Sequence, residues 1–336
     1  MTLLVRDEED IVEEQLRFHL EHGVDFVIAT DHRSSDRTSE ILRRYAHAGH
    51  VHLIQEDAVE CPQGLWVTRM ARLAATDFGA DWVINSDADE FWFSREGQLR
   101  EVLAAIPERF GAIRGIARHF VPRPEGAEPF YERMVVRRLP DSDPMSPYQP
   151  SVKVLHRADR DVVVPNGNHD ALGRRLRLMR EWCLFDVLHF PIRSRAQMER
   201  KFSAWHPDVA RTRVGRHAEA AARAIQEGAA DSLFTQYLVD DGALAKGLAQ
   251  GLFTIDTRVR EALRGLEVKA DGGEQQPTAE TTLLVQELDL FQATDAAVQL
   301  AQRVDAFCER LRAVEASSLF WPDQLFRRML SGSRDT

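Results

Sequence analysis

Two aspartates with the spacing of metal ligands are the first candidates for chemistry in this sequence. Asp87 and Asp89 follow directly after the apolar run at residues 82–84, which predicts a buried strand. Side chains two positions apart in an extended segment point the same way, so both carboxylates are expected to face one point beyond the strand. Two such carboxylates repel each other unless a cation lies between them. Oxygen ligands favour Mg²⁺, Mn²⁺ or Ca²⁺ over Zn²⁺, and Mg²⁺ or Mn²⁺ held by carboxylates usually carries substrate phosphates as further ligands.

A solvated acidic turn after a strand is the simpler interpretation of the same pattern, since aspartate is common in turns. The aromatic run at residues 91–93 stands directly beside the carboxylates, which is unusual for a plain surface turn. This run therefore favours a metal site over a turn without a ligand.

Alternating strands and helices precede this point and must position it. Apolar runs predict strands at residues 2–5, 25–30 and 51–54, and amphipathic segments between them predict helices, the last at about 64–78. Such alternation predicts a parallel sheet with helices on both faces. Arg6, Asp31 and Asp87 each follow a parallel strand, so they are expected at one edge of the sheet. Ligands bind at that edge in open α/β sheets.

After residue 93 the alternation becomes irregular. A helix is expected at about 99–106, and strands are expected near residues 112–120, 132–138, 151–156 and 184–190. The long connections at 121–129 and 140–150 are rich in proline and aspartate, and long loops in compact domains are usually functional or mobile. We therefore predict a domain at residues 1–205, with a nucleotide-binding half at 1–110 and an acceptor half at 111–205.

From about residue 195 the apolar spacing is helical to the end of the chain. Helices are expected at residues 218–227, 233–239, 253–266 and 283–311, with an exposed linker at 270–278. We find no candidate catalytic cluster in this region. The prediction for residues 206–336 is an all-helical C-terminal extension for packing or for self-association into a homo-oligomer.

Composition excludes several classes of protein. The 336 residues carry a net charge of −10, which argues against nucleic acid as the main partner. Three scattered cysteines, Cys61, Cys183 and Cys308, form neither a disulfide framework nor a zinc motif. No apolar run approaches the roughly 20 residues of a membrane span. The expected location is cytoplasmic, with recruitment to the inner face of the membrane if the protein acts there.

Two histidines stand out among the twelve. His169 lies in the polar glycine turn at residues 165–170, and His189 interrupts the apolar strand expected near 184–190. A buried imidazole is unfavourable without a partner, so His189 needs a hydrogen bond or a metal. The residues alone leave both open, and a core histidine with a satisfied hydrogen bond is the more frequent case.

Taken together, the motifs resemble family 2 glycosyltransferases of the GT-A fold. They are Leu-Val-Arg-Asp-Glu at residues 4–8, a variant of the D-[DN]-G-S-x-D-x-T loop at 31–38, and Asp-Ala-Asp at 87–89 after a buried strand. A bacterial branch is a closer match, since it carries Arg-Asp-Glu-Glu-Asp, Asn-Ser-Asp-Ala-Asp-Glu-Phe, Gly-Asn-His and Leu-His-Phe-Pro. The resemblance covers about residues 1–205. It implies a GT-A-type, Rossmann-like sheet, mostly parallel and flanked by helices.

The resemblance also implies roles for individual residues. The implied nucleotide-sugar contacts are Arg6, Glu8, Asp31 on the base, Arg69, and Asp87 near the ribose or the metal. The implied ligands of Mn²⁺ or Mg²⁺ are Asp87, Asp89 and His189. Further donor or acceptor contacts fall on His169, Lys153 and Trp66. An inverting transfer needs a carboxylate within reach of the acceptor hydroxyl, and Asp170 is the candidate base.

The sequence departs from the family pattern in three places. His32-Arg33 replaces the usual Asp/Asn-Gly of the base-binding loop, which affects the base preference. The Gln-x-x-Arg-Trp motif of processive synthases is absent, which favours transfer of a single sugar. The catalytic base is also not marked by the usual Glu-Asp pair of the family.

The expected function is metal-dependent transfer of one sugar, of hexosyl type, from a nucleotide-diphosphate sugar to an acceptor hydroxyl. UDP-sugar is the expected donor, and a surface glycan or glycoconjugate is the expected acceptor. A sugar nucleotidyltransferase is an alternative, but it would carry a glycine-rich, basic loop after the first strand, where residues 7–10 are acidic. A non-catalytic sugar-nucleotide or polysaccharide-binding scaffold is a second alternative, recognisable by nucleotide binding without turnover.

Overall fold

The computed structural model describes residues 1–59, 61–95, 97–139, 151–179, 184–203 and 213–270 of the chain. The strands are β1 Thr2–Val5, β2 Val27–His32, β3 Val51–Glu56, β4 Trp82–Asp87, β5 Glu90–Ser94, β6 Ala112–His119, β7 Val136–Arg138, β8 Val152–Arg157, β9 Leu178–Met179, β10 Phe185–His189 and β11 Phe253–Ile255. The helices are α1 Val12–Glu21, α2 Thr38–His47, α3 Gln63–Thr76, α4 Leu99–Ala105, α5 Phe130–Arg133, α6 Arg195–Ser203, α7 Arg213–Gln226, α8 Ala230–Tyr237, α9 Asp241–Ala249 and α10 Arg258–Ala270.

Nine of the described strands form one sheet, whose main path runs β3-β2-β1-β4-β8-β6-β10-β5, with β9 paired to β6. The first four strands are parallel, with Leu4 of β1 in register with Thr30 of β2 and Asp87 of β4. All six residues of β2 are buried, as expected for an inner strand covered on both faces. The predicted fold class, an α/β protein with a mostly parallel sheet flanked by helices, is confirmed.

Helices cover both faces of the sheet because each carries an apolar stripe. On one face, α1, α2, α4 and α10 pack against a core that includes Leu3, Leu16 and Leu42. On the other face, α3 buries Val67, Met70 and neighbouring residues against β4 and β8. The connections between β1, β2, β3 and β4 therefore place all four carboxyl ends at one edge.

The second half of the sheet is mixed. Strand β8 is antiparallel to β4 and β6, whereas β10 is parallel to β6. The sequence did not predict β5, which pairs antiparallel with β10 and brings Glu90 opposite His189. The residues expected as a strand near 132–138 divide into the short helix α5 and the strand β7.

The described part of the C-terminal region packs on the rest of the domain. The prediction of a continuous helix at residues 253–266 is wrong, because residues 253–255 form β11 and pair with β7, and α10 begins at Arg258. The described residues on both sides of position 205 belong to one compact unit, and the predicted domain boundary at 205 stays a prediction. The predicted helix at 283–311 and the linker at 270–278 lie outside the described residues, apart from residue 270 at the end of α10.

None of the helices in the described ranges combines the length and the apolar character needed to cross a membrane.

Candidate active site

Three acidic residues follow the buried core of β4. Asp87 is the last residue of the strand, Ala88 and Asp89 form a turn, and Glu90 begins β5. The turn ends the extended geometry, so the two aspartates have different neighbours instead of facing one point. Among the residues that the structure describes, one group could hold a metal ion: Asp89, Glu90 and His189. One ligand atom from each of them lies within 4.8 Å of the other two. The metal role predicted for Asp87 stays a prediction. Glu90 was not predicted from the sequence and is a further candidate ligand.

His189 ends β10 and has two polar partners. Its Nε2 lies 3.4 Å from Oδ2 of Asp89, and its Nδ1 lies 2.9 Å from Nδ1 of His119 on the neighbouring strand. The strand register places the two histidines opposite each other. One of the two Nδ1 atoms must carry a hydrogen. A hydrogen on Nε2 of His189 would pair with Asp89, whereas a His189 that donates only from Nδ1 to His119 leaves its Nε2 lone pair facing Asp89 and Glu90. This is the arrangement that a metal ligand requires.

Lys153 on β8 forms ion pairs with two of the carboxylates. Its Nζ lies 2.6 Å from Oδ2 of Asp87 and 2.7 Å from Oε1 of Glu90. Burial alone would lower the pKa of Lys153, but the two carboxylates outweigh it and the pKa is raised. Burial is also the main reason that the pKa of Glu90 is raised to about 7. The backbone N–H of Asp87 donates to Oε2 of Glu90 at 3.1 Å.

Lys201 on α6 neutralises the third carboxylate. Its Nζ donates to Oδ2 of Asp89 at 2.6 Å and to the carbonyl of Pro191 at 3.1 Å. Burial would raise the pKa of Asp89, but Lys201 and then His189 outweigh it, so the pKa lies well below its usual range. The sequence offered no candidate after residue 195, whereas the structure brings Lys201, which lies within the predicted domain at 1–205, to this cluster. Lys201 lies 112 positions from Asp89, and no local motif marks it.

A buried arginine ties the segment after β1 to the segment after β10. Arg193 donates from Nε to Oδ2 of Asp10 at 2.8 Å, and its Nη2 donates to Glu8 and, at 2.9 Å, to Oδ1 of Asp10. Its Nη1 donates to the carbonyl of Phe190 at 3.0 Å. Burial raises the pKa of Glu8 to about 6, against the opposing effect of Arg193. Glu8 was predicted as a nucleotide-sugar contact, whereas Arg193 was missed.

The resulting cluster has an excess of negative charge. Five carboxylates face three cationic side chains, so the formal charge is −2 when every carboxylate is ionised. The residues are Glu8, Asp10, Asp87, Asp89 and Glu90 with Lys153, Arg193 and Lys201. Burial is the main cause of the elevated pKa values of Glu8 and Glu90, against the opposing effects of Arg193 and Lys153, and the neighbouring carboxylates add to it. A divalent cation would balance the charge, and two carboxylates with one imidazole suit Mn²⁺ or Mg²⁺.

The loop after β2 binds the loop after β1. Asp31 is buried, its Oδ1 accepts from the N–H of Ser34 at 3.2 Å, and its Oδ2 accepts from the hydroxyl of Ser39. Asp7 accepts from the N–H of Ser35 at 2.7 Å. Both oxygens of Asp31 thus accept hydrogen bonds from the loop that follows β2 and from the start of α2. The contact of Asp31 with a nucleobase stays a prediction. Arg6 is exposed beside these loops.

Two further predicted residues lie on α3. Arg69 forms an ion pair with Glu56 at the end of β3, with Nη2 and Oε1 2.6 Å apart. Trp66 is buried, and its ring meets that of His32 edge-on with 4.9 Å between centroids. The nucleotide-sugar contact of Arg69 and the donor or acceptor contact of Trp66 stay predictions.

The turn at residues 165–170 reaches the cluster through Asn168. The side-chain amide of Asn168 donates to Oδ1 of Asp87 at 3.2 Å, and Nδ1 of His169 lies 2.7 Å from the carbonyl of Val152. Asp170 is exposed and accepts from the N–H of Ala171 at 2.9 Å. The structure therefore brings this turn to Asp87, whereas the role of Asp170 as a base stays a prediction.

No family model matches the chain, and no curated protein matches it in sequence. Solved structures with partial likeness include S. aureus TarS 1–349 in complex with UDP-GlcNAc, at 12% identity and a TM-score of 0.33, covering 66% of this chain and 69% of that chain. The same protein in complex with UDP gives 10% identity and a TM-score of 0.33 over 83% and 93% of the two chains. A mycobacterial protein gives 19% identity and a TM-score of 0.25 over 35% and 40%. These TM-scores are low, so the likeness supports no conclusion about the chemistry of this site.

Proposed function

We propose that this protein is a glycosyltransferase that moves one sugar from a nucleotide-diphosphate sugar to an acceptor hydroxyl. The observation that carries the proposal is the convergence of Asp89, Glu90 and His189 beside two lysines, just beyond the carboxyl end of β4. UDP-sugar is the proposed donor, and Mn²⁺ or Mg²⁺ is the proposed cofactor. The acceptor is proposed to be a glycan or another hydroxyl compound.

The side chains of this site suit a diphosphate. A divalent cation held by Asp89, Glu90 and His189 would offset the negative charge that develops on the leaving diphosphate. Lys153 and Lys201 supply two ammonium groups next to the same carboxylates. Cations in a poorly hydrated site attract an anion more strongly than they would in bulk water.

The acceptor hydroxyl must lose a proton during transfer. An inverting reaction assigns this proton to one carboxylate, and Asp170 remains our candidate. It is exposed and stands two residues after Asn168, whose side chain contacts Asp87. Asp170→Asn should therefore lower kcat with little effect on donor affinity, whereas Asp161→Asn, at another exposed aspartate nearby in the chain, should change neither.

The proposal is tested by screening nucleotide sugars for thermal stabilisation and for donor hydrolysis, each with Mn²⁺ and with a chelator. UDP and UDP-GlcNAc, the ligands named for the TarS structures, are practical first probes. Glycosyl transfer or donor hydrolysis releases UDP, whereas a nucleotidyltransferase running in reverse consumes pyrophosphate. Release of UDP that needs the metal supports the proposal. A screen in which no nucleotide sugar binds would refute it, and binding without turnover would favour the scaffold.

A further inference from the structure

The ammonium group of Lys201 forms an ion pair with Asp89, which is a proposed ligand of the divalent cation. Its ammonium lies 2.6 Å from Oδ2 of Asp89, and the side chain of Asp89 is only 5% exposed. A divalent cation bound to a carboxylate lies about 2.0–2.2 Å from its ligand oxygen. A metal on the same oxygen of Asp89 would stand within about 5 Å of this ammonium, and a metal on the other oxygen within about 7 Å, so the two cations would repel each other in a poorly hydrated site.

The two lysines of the site differ in their freedom to move. Lys153 is 7% exposed and held between Asp87 and Glu90. Lys201 is 28% exposed and contacts one carboxylate and the carbonyl of Pro191. A lysine ammonium on its four-carbon stem can move by several ångströms without a backbone change. Lys201 is therefore the cation that can leave when a metal arrives.

We propose that Lys201 is a displaceable counter-ion: it holds Asp89 when no metal is bound, gives way to the divalent cation, and then pairs with the diphosphate of the donor. This inference rests on the proposed function for the identity of the anion. It implies that Lys201 weakens metal binding in the absence of nucleotide. It also implies that UDP strengthens metal binding, because the diphosphate gives the released ammonium a new partner.

Binding of Mn²⁺ alone tests the first implication, with the EPR signal of unbound Mn²⁺ as the readout and no nucleotide present. Lys201→Met should bind Mn²⁺ at least about tenfold more tightly than the wild type, because one repelling charge is gone. Lys246→Met removes an exposed lysine on α9 and is the matched control, with the affinity of the wild type expected. Unchanged or weaker affinity in Lys201→Met would overturn the proposal.

Lys201→Arg changes the side chain but keeps its positive charge. It therefore separates the loss of charge in Lys201→Met from a folding defect caused by the substitution. Its Mn²⁺ affinity should stay within about threefold of the wild type, and a gain as large as that expected for Lys201→Met would overturn the role of charge. Where Lys201→Met is unstable, the rise in Tm on adding Mn²⁺ is measured instead. That rise should be larger in Lys201→Met than in the wild type, and an equal or smaller rise would overturn the proposal.

The second implication is tested by repeating the Mn²⁺ titration with saturating UDP. UDP should increase Mn²⁺ affinity more in the wild type than in Lys201→Met, and an equal increase in both would overturn the transfer of Lys201 to the diphosphate. If neither protein binds Mn²⁺ while calorimetry still shows UDP binding, the counter-ion proposal fails and the donor site survives. If UDP does not bind either protein, the proposed function fails, and the nucleotide-free titration still decides the competition between Lys201 and the metal.

Discussion

His19 on α1 should make the stability of the fold depend on pH. The ring is 1% exposed, its Nδ1 lies 2.8 Å from the carbonyl of Gln15, and its Nε2 accepts from the N–H of Trp92 at 3.0 Å. A neutral imidazole satisfies both contacts, whereas a proton on Nε2 would face another donor. Burial accordingly lowers the pKa of His19 from 6.5 to about 3.

The sign and the size of the effect follow from this shift. The unfolded chain takes up a proton near pH 6.5 and the folded protein does not, so the stabilising contribution of His19 is present above pH 6.5 and is lost as pH falls toward 3. The loss is roughly 1.4 kcal/mol per pH unit below 6.5, which amounts to about 2 kcal/mol at pH 5.

Urea unfolding of the wild type and of His19→Gln at pH 7.5, 6 and 5 measures this effect. The difference in free energy of unfolding between the two proteins should narrow by about 2 kcal/mol from pH 7.5 to pH 5. The titrations of Glu8 and Glu90 are common to both proteins and cancel in the difference. His47→Gln alters an exposed histidine and should follow the wild type. A difference between wild type and His19→Gln that stays constant over this range would refute the burial argument.

Three further substitutions have expected outcomes. Asp186→Asn should lower the free energy of unfolding by about 3–5 kcal/mol, because the buried carboxylate of Asp186 forms ion pairs with three arginines. Glu132→Gln alters a more exposed ion pair and should lower it by less than about 1 kcal/mol. Both values are measured by denaturation. In the EPR titration, His189→Ala should weaken Mn²⁺ binding roughly ten- to a hundredfold or more, and His119→Ala should weaken it by about tenfold. Unchanged Mn²⁺ affinity in His189→Ala would mean that His189 is a core histidine and not a metal ligand. Asp89→Asn should abolish transfer and lower Tm, because Lys201 loses its carboxylate, and a raised Tm would contradict the ion pair.

The parallel half of the fold follows from local patterns. Strands β1 to β4 are short apolar runs and the helices between them carry apolar stripes. Because the four strands are parallel, their polar carboxyl ends lie at one edge. Strand β5 was missed because its partner β10 lies about 95 residues later, so the pairing leaves no local trace. Strand β11 was missed for a similar reason. The spacing of apolar residues at 253–266 is compatible with a helix, but residues 253–255 pair with β7 and form a strand instead.

The site was predictable only where a motif marks it. Asp89 and His189 stand out as polar residues beside apolar strands, and the structure brings them together with Glu90. Repulsion between the aspartates suggested a metal as the balancing charge, but Lys153 and Lys201 already supply part of that charge. Lysines on a distant strand and helix cannot be assigned to a carboxylate without the tertiary fold.

The central claim is that the carboxylates and His189 beyond β4 form a metal-dependent site for a nucleotide diphosphate. Calorimetric titration of UDP into the protein tests it most directly, once with Mn²⁺ and once with a chelator in place of the metal. The account predicts saturable UDP binding with Mn²⁺ and at least roughly tenfold weaker binding with the chelator, since the diphosphate and the side chains share the ion. Equal UDP affinity in the two titrations would contradict the metal role, and no binding in either would contradict the donor site itself.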